Sequence, residues 1–228
     1  MSAWRGDRHA AVLSPAPDRP TPSAIQVAAE MERLAAADFR RVLTGALHQN
    51  EVAPFLANGF VEHDHLHLLS RDLRDLPEAR PGVRHRRARR RDQPRVLEID
   101  AAAFDDFWAL DRRGLHDAIR ATPVSRYRVS TAGRTVTGYA VTGRAADRGY
   151  LQRLAVDPGR HRSGHGVTLV ADALAWLRRT GARTVVVNTQ ERNRAAHALY
   201  LACGFVAEPS GLTVLVADLV PRAGNPPT

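Results

Sequence analysis

The segment Tyr150-Leu-Gln-Arg-Leu-Ala-Val156, followed by Asp157-Pro-Gly-Arg-His-Arg-Ser-Gly-His-Gly166 and a run from Val167, decides the fold. An apolar stretch of strand length stops at Pro158, passes Gly164 and Gly166, and feeds directly into a helical pattern. Val167, Val170, Leu174 and Leu177 recur on one face of that helix, and Gly181 ends it. A strand, glycine loop and helix in this order make an anion cradle. Glycine lets the backbone approach a charged group, and the unpaired N–H groups of the first helical turn point at it.

Working outward, Thr184–Asn188 reads as a buried strand. A helix over Asn193–Cys203 follows, with Asn193 at its start and Gly204 just past its end, and then a strand pair over Phe205–Leu219. Upstream, Val96–Asp100 leads to a helix capped by Asp100, with helical pieces at 101–110 and 113–121. Strands at Ser125–Ser130 and Thr135–Thr142 flank an Ala132-Gly133 turn. Helices and strands alternate, so the expected class is α/β (α+β), a mixed central sheet flanked by helices.

Five regions are expected: a disordered tail over 1–24, a small α/β segment over 25–75, an Arg/Pro-rich linker over 76–95, the main domain over 96–221, and a tail over 222–228. Ala37–Leu73 weakly repeats the strand, helix, Gly-Phe, strand order of 182–219 without the glycine loop. This segment therefore has no means of cradling an anion. Arg84, Arg86, Arg87, Arg89, Arg90 and Arg91 place six positive charges in eight positions. Blocks of like charge stay extended and solvated, which favours a linker, although a nucleic-acid contact through Arg84–Arg91 is the second reading.

Composition is that of an ordinary globular chain, with 44% hydrophobic and 25% charged residues and a formal charge of +9. All basic residues are arginine, so the chain offers no lysine of its own for acylation. No apolar run reaches membrane-span length, and the first residues lack the apolar core of a secretory signal. A single cysteine, Cys203, cannot form an intrachain disulfide, and a cytoplasmic protein is expected. Two histidines in the loop, His161 and His165, lack a third ligand nearby, so no metal is expected.

Over residues 96–220 the chain resembles the GNAT (GCN5-related) N-acetyltransferases. His161-Arg-Ser-Gly164-His-Gly166 is similar to the family's R/Q-x-x-G-x-G/A loop, with His161 replacing the usual Arg or Gln. Asn193, Ala196, Tyr200, Gly204 and Phe205 match its N-x-x-A-x-x-x-Y-x-x-x-G-F pattern without a gap. Residues 25–75 resemble a truncated, degenerate half of the same fold.

The resemblance implies acetyl-CoA as cosubstrate and a primary amine, possibly a protein N-terminus, as acceptor. It implies that His161, Arg162, Ser163, Gly164, His165 and Gly166 hold the pyrophosphate. Leu154, Ala155 and Val156 would line the acyl arm, their N–H groups polarising the thioester carbonyl. Tyr200 is the candidate general acid, its plainer role being a packed core aromatic. Asn193, with Ala196, would meet the cofactor arm, with an ordinary helix cap as the alternative. No general base is readable: Asp100, Asp105, Asp106 and Gln152 lie in segments able to face the acceptor site, while several family members use only water. Trp108 is a candidate for the acceptor pocket, its plainer role being a buried aromatic. The other functional readings are an acetyltransferase acting on a small-molecule amine and a non-catalytic acyl-CoA-binding protein.

Overall fold

A computed structural model describes residues 3–4, 7–15 and 19–219. The chain divides into two compact units. One holds the described residues of Met1–His67, Gln190–Arg192 and Pro209–Thr228, the other Leu68–Thr189 and Asn193–Glu208.

The first unit contains β1 (Ala3–Trp4), β2 (Asp7–Leu13), α1 (Ala24–Ala36), β3 (Arg41–Thr44), α2 (Ala53–Leu56), residues 61–67 of β4 (Val61–Asp72) and β11 (Leu212–Asp218). Ser23 starts α1 through a capping box: its hydroxyl accepts the Gln26 N–H at 3.3 Å, and the Gln26 side chain accepts the Ser23 N–H at 2.9 Å. Strands β2 and β3 run parallel, while β11 pairs antiparallel with β3 and with β4. Val27 and Leu34 of α1 pack with Val42, Phe55, Phe60 and Leu215 into one core, where the Phe55 and Phe60 rings meet edge to face at 5.3 Å.

The second unit contains residues 68–72 of β4, β5 (Arg84–Arg87), α3 (Gln93–Ala103), α4 (Arg112–Arg120), β6 (Val124–Ala132), β7 (Thr135–Ala145), β8 (Arg148–Val156), α5 (His165–Arg179), residues 184–189 of β9 (Thr184–Gln190), α6 (Arg194–Ala202) and β10 (Val206–Ala207). Its sheet runs β9-β8-β7-β6-β5, with β8 and β9 parallel and the other neighbours antiparallel. Leu169, Val170, Leu174 and Leu177 of α5 join Ala140, Leu151, Val185 and Tyr200 in one core cluster. Val96 and Ile99 of α3 and Leu115 of α4 pack with Val129, Tyr139 and Val141 in another. The sheet is thus mixed and flanked by helices, as expected of the α/β class.

Several expectations are corrected. Residues 7–13, expected within a disordered tail, form β2, which pairs with β3 and buries Ala10 and Ala11. The apolar run Ala10-Ala-Val-Leu13 is short and stands inside a Pro-, Ser-, Asp- and Arg-rich tail, so the strand shows only through its pairing with β3. Residues 1–2, 5–6 and 16–18 of that tail, and the tail expected over 222–228, lie outside the described residues. The linker expected over 76–95 carries β5 and the start of α3. One charge of its arginine run is met by a carboxylate: Arg86 forks onto Asp92 at 2.6 and 2.8 Å. Asp100 is no helix cap, since α3 begins at Gln93 with Pro94 in its first turn. Finally β11, expected in the main domain, belongs to the first unit because both of its edges pair there.

Candidate acyl-transfer site

The loop between β8 and α5 is built by its own side chains. The Asp157 carboxylate accepts the Gly159 N–H at 2.9 Å and takes a second bond from Arg95, fixing the turn Pro158–Arg160. His161, which replaces the usual Arg or Gln, uses Nε2 to meet the Val156 carbonyl at 3.2 Å and so fastens the loop back to its strand. The Ser163 hydroxyl donates to the His161 carbonyl at 3.4 Å. Arg162 at φ 60° and Gly164 at φ 81° turn the chain into α5. Gly164 is the helix N-cap and offers no side chain to cap the first turn, so among the described residues its N–H groups keep their capacity for an anion.

The two loop glycines serve different ends. A Cβ on Gly164 would lie 2.9 Å from Arg80 Cβ, so this glycine admits the segment before β5, whose Arg80 N–H donates to Thr168 Oγ1 at 3.1 Å. A Cβ on Gly166 would lie 3.0 Å from Leu199, so this glycine lets α5 approach α6. His165 is buried, with Nδ1 3.2 Å from Thr137 Oγ1. Burial, aided by the charge of Arg160, holds its imidazole below the usual histidine range. His161 and His165 thus engage different partners rather than a common centre.

The strand behind the loop supplies the second feature. The β8–β9 ladder pairs Arg148 with Thr184, Gly149 with Val185 and Tyr150 with Val186, and goes no further. Against β7, however, β8 stays paired as far as Val156 opposite Gly138. Residues 151–156 therefore present one edge that β9 does not cover, about 20 Å of backbone at strand rise. The cause lies in the register: Arg153 pairs with Val141 and Leu151 with Thr142, leaving Gln152 as an extra residue. Such a bulge bends its strand and sharpens its twist, here just beyond the last β9 pair. Gly143 makes room for the Gln152 side chain, which donates to Thr122 Oγ1 at 3.3 Å.

Leu154 and Val156 pack against the cluster that includes Val187 of β9 and Tyr200, while Ala155 is buried in the cluster with α3. Tyr200 is 4% exposed, with its ring 5.7 Å from that of Phe205. Burial drives its phenol well above the usual tyrosine value, with the Arg153 charge pulling the other way. Asn193 caps α6, its side chain accepting the Ala196 N–H at 3.0 Å. Gly204 closes that helix at φ 80°. Cys203 is buried, which raises its thiol pKa and suits packing better than attack.

Of the candidate bases, Asp100 is fully buried and gripped by Arg153 at 2.8 and 2.9 Å. It also accepts the Tyr139 hydroxyl and, at 2.6 Å, the Leu110 N–H. Arg153 in turn donates to the Trp108 carbonyl at 2.7 Å and stacks 3.5 Å over the Phe104 ring. Asp100 is therefore an anchor holding the 104–110 loop to β8. Asp105 caps the turn to Trp108 at 3.0 Å, Asp106 is exposed, and Gln152 fills the bulge. Arg153, Arg80 and Gly143 were not singled out in the sequence. Only Gly143, a glycine inside a strand pattern, carries a readable signal there.

Residues 93–205 match the model of the acetyltransferase (GNAT) family. The chain carries a GNAT acyltransferase domain. No curated protein matches the sequence. Among solved structures, a tandem GNAT protein from the clavulanic acid biosynthesis pathway is similar at TM-score 0.65 and 14% identity, over 87% of this chain and 70% of the other. A GCN5-related N-acetyltransferase from Kribbella flavida gives TM-score 0.63 at 16% identity, over 87% and 79%. The ribosomal-protein-S18-alanine N-acetyltransferase of Escherichia coli gives 0.51 at 19%, over 64% and 99%. At these identities the likeness is one of fold.

Proposed function

We propose that the GNAT domain transfers an acetyl group from acetyl-CoA to a primary amine. The observation that carries this reading is the parting of β8 from β9 beyond Tyr150 and Val186, at the head of a loop whose helix start is uncapped. Acetyl-CoA supplies an activated acyl group on a sulfur leaving group. The first-turn N–H groups of α5, with Arg160 and Arg162 beside them, suit its pyrophosphate. The uncovered edge of residues 151–156 suits its amide-rich arm, as an added strand would, and N–H groups at Leu154–Val156 suit the carbonyl oxygen.

In this reading the neutral amine forms the new C–N bond as the C–S bond breaks, Tyr200 donates its hydroxyl proton to the departing sulfur, and the proton lost by the amine nitrogen passes to solvent, from which Tyr200 is reprotonated. Its raised pKa keeps that proton in place at neutral pH. Asn193 acts by capping α6 and so placing Tyr200. A peptide N-terminal amine is the first acceptor to try, given the fold likeness to the S18-alanine enzyme. We place the reaction in the cytoplasm on the strength of the lone, buried Cys203. Among the described residues no helix is long and apolar enough to cross a membrane. The similarity to a tandem protein over 87% of this chain supports reading residues 25–75 as a degenerate GNAT half.

Calorimetric titration with acetyl-CoA, followed by coenzyme A release assayed against peptide and small-molecule amines, tests the proposal. Binding with release on amine addition supports it. Binding without release for any amine would favour an acyl-CoA-binding module, and no binding at millimolar acetyl-CoA would refute both readings.

A further inference from the structure

A cleft of about 800 Å³ opens beside β5, the start of α3 and the β6–β7 turn. Five arginines line it, Arg84, Arg86, Arg91, Arg95 and Arg134, with a single acidic residue, Asp92. Asp92 is already taken by Arg86, and Arg95 is engaged by Glu98 and Asp157. Arg84, Arg91 and Arg134 make no ion pair among the described residues. The fold holds these charges close together. Arg84 is set by its pairing opposite Thr131, and Arg134 follows Gly133, whose φ of 57° suits a two-residue hairpin. Like charges gathered around a concavity repel unless an anion joins them.

We infer that this cleft is a binding site for a small molecule carrying several phosphoryl groups, separate from the acyl-CoA loop. Guanidinium groups match phosphate oxygens in bidentate geometry, and several converging on one hollow favour clustered negative charge over a single anion. The volume falls in the range of small-molecule sites, roughly 300–1,000 Å³. No Phe, Tyr or Trp lines the cleft, so it lacks the stacking platform that single-stranded nucleic acids use. Its Arg95 also bonds Asp157 at the root of the loop, so the two sites are neighbours that share no side chain proposed to contact ligand.

The test is calorimetry on the full chain saturated with acetyl-CoA, using sodium tripolyphosphate and orthophosphate as probes at low salt. One molecule of tripolyphosphate should bind, at least about tenfold more tightly than orthophosphate. The triple substitution Arg84→Gln, Arg91→Gln, Arg134→Gln should weaken it by about tenfold or more while acetyl-CoA affinity stays within about twofold. Absence of binding, equal binding to the substituted protein, or displacement by acetyl-CoA would each overturn the inference. So would an oligonucleotide that binds these arginines more tightly than tripolyphosphate, since the surface would then be a nucleic-acid contact. Acetyl-CoA affinity, measured in the same preparations, separates failure here from failure of the acetyltransferase reading.

Discussion

Gln152 and Gly143 are fitted to one another: a Cβ on Gly143 would stand 2.7 Å from Gln152 Nε2 and 2.2 Å from Thr122 Oγ1. The bulge that frees the edge of β8 therefore rests on a missing side chain one strand away. Gly143→Ala should overpack this pocket and cost about 1–3 kcal/mol, lowering the melting midpoint by several degrees. Acetyl-CoA affinity should fall by about tenfold, as read by calorimetry on the folded variant. A variant that melts earlier yet binds acetyl-CoA normally would show that the bulge does not set the gap.

Tyr200→Phe keeps the ring that packs on Phe205 and removes only the hydroxyl. Turnover should drop by about 100-fold or more, the usual scale for losing a general acid, with acetyl-CoA affinity within about threefold. Steady-state kinetics beside a binding titration separate the two quantities. Parallel losses in both would assign Tyr200 to packing.

Asp100 and Arg153 form a buried ion pair, their side chains 0% and 11% exposed. Asp100→Ala strands the guanidinium and should cost about 3–5 kcal/mol in urea unfolding. Adding Arg153→Met should recover a good part of that loss, because no buried charge is then left over. If the double variant is as unstable as the single one, packing around Asp100 matters more than its charge.

His165 gives the stability a pH dependence of definite sign. Its native pKa lies below the ordinary value near 6.5, so the unfolded chain takes up the proton first as pH falls. Its contribution is complete above that ordinary value and is lost as pH drops through the native one. Urea unfolding between about pH 7 and pH 5 should show the decline, and His165→Gln should flatten it. An equal slope in both proteins would place the titrating group elsewhere.

The parts of the fold that were readable in sequence are those set by local rules. Gly164 before α5, Gly204 after α6 and the apolar face of α5 each announce an element boundary or a buried side within a few residues. What escaped depends on partners far along the chain. β2 exists because β3 pairs with it, and β5 is a strand because β6 takes its edge and Asp92 takes Arg86. The role of Asp100 was misread for the same reason, since its partner Arg153 lies 53 residues away. The β8 bulge is a matter of register, which no single strand encodes.

β5 also has a bearing on how copies of this chain meet. It is the outermost strand of its sheet, and its sequence is Arg84-His-Arg-Arg87. An uncovered strand edge is a standing template for a second chain, and charge along it is a common safeguard. Two such edges brought together would set arginine against arginine, so sheet extension across β5 is disfavoured without a counter-ion between them. The same four residues thus guard the protein against aggregation, and masking their charge would expose it.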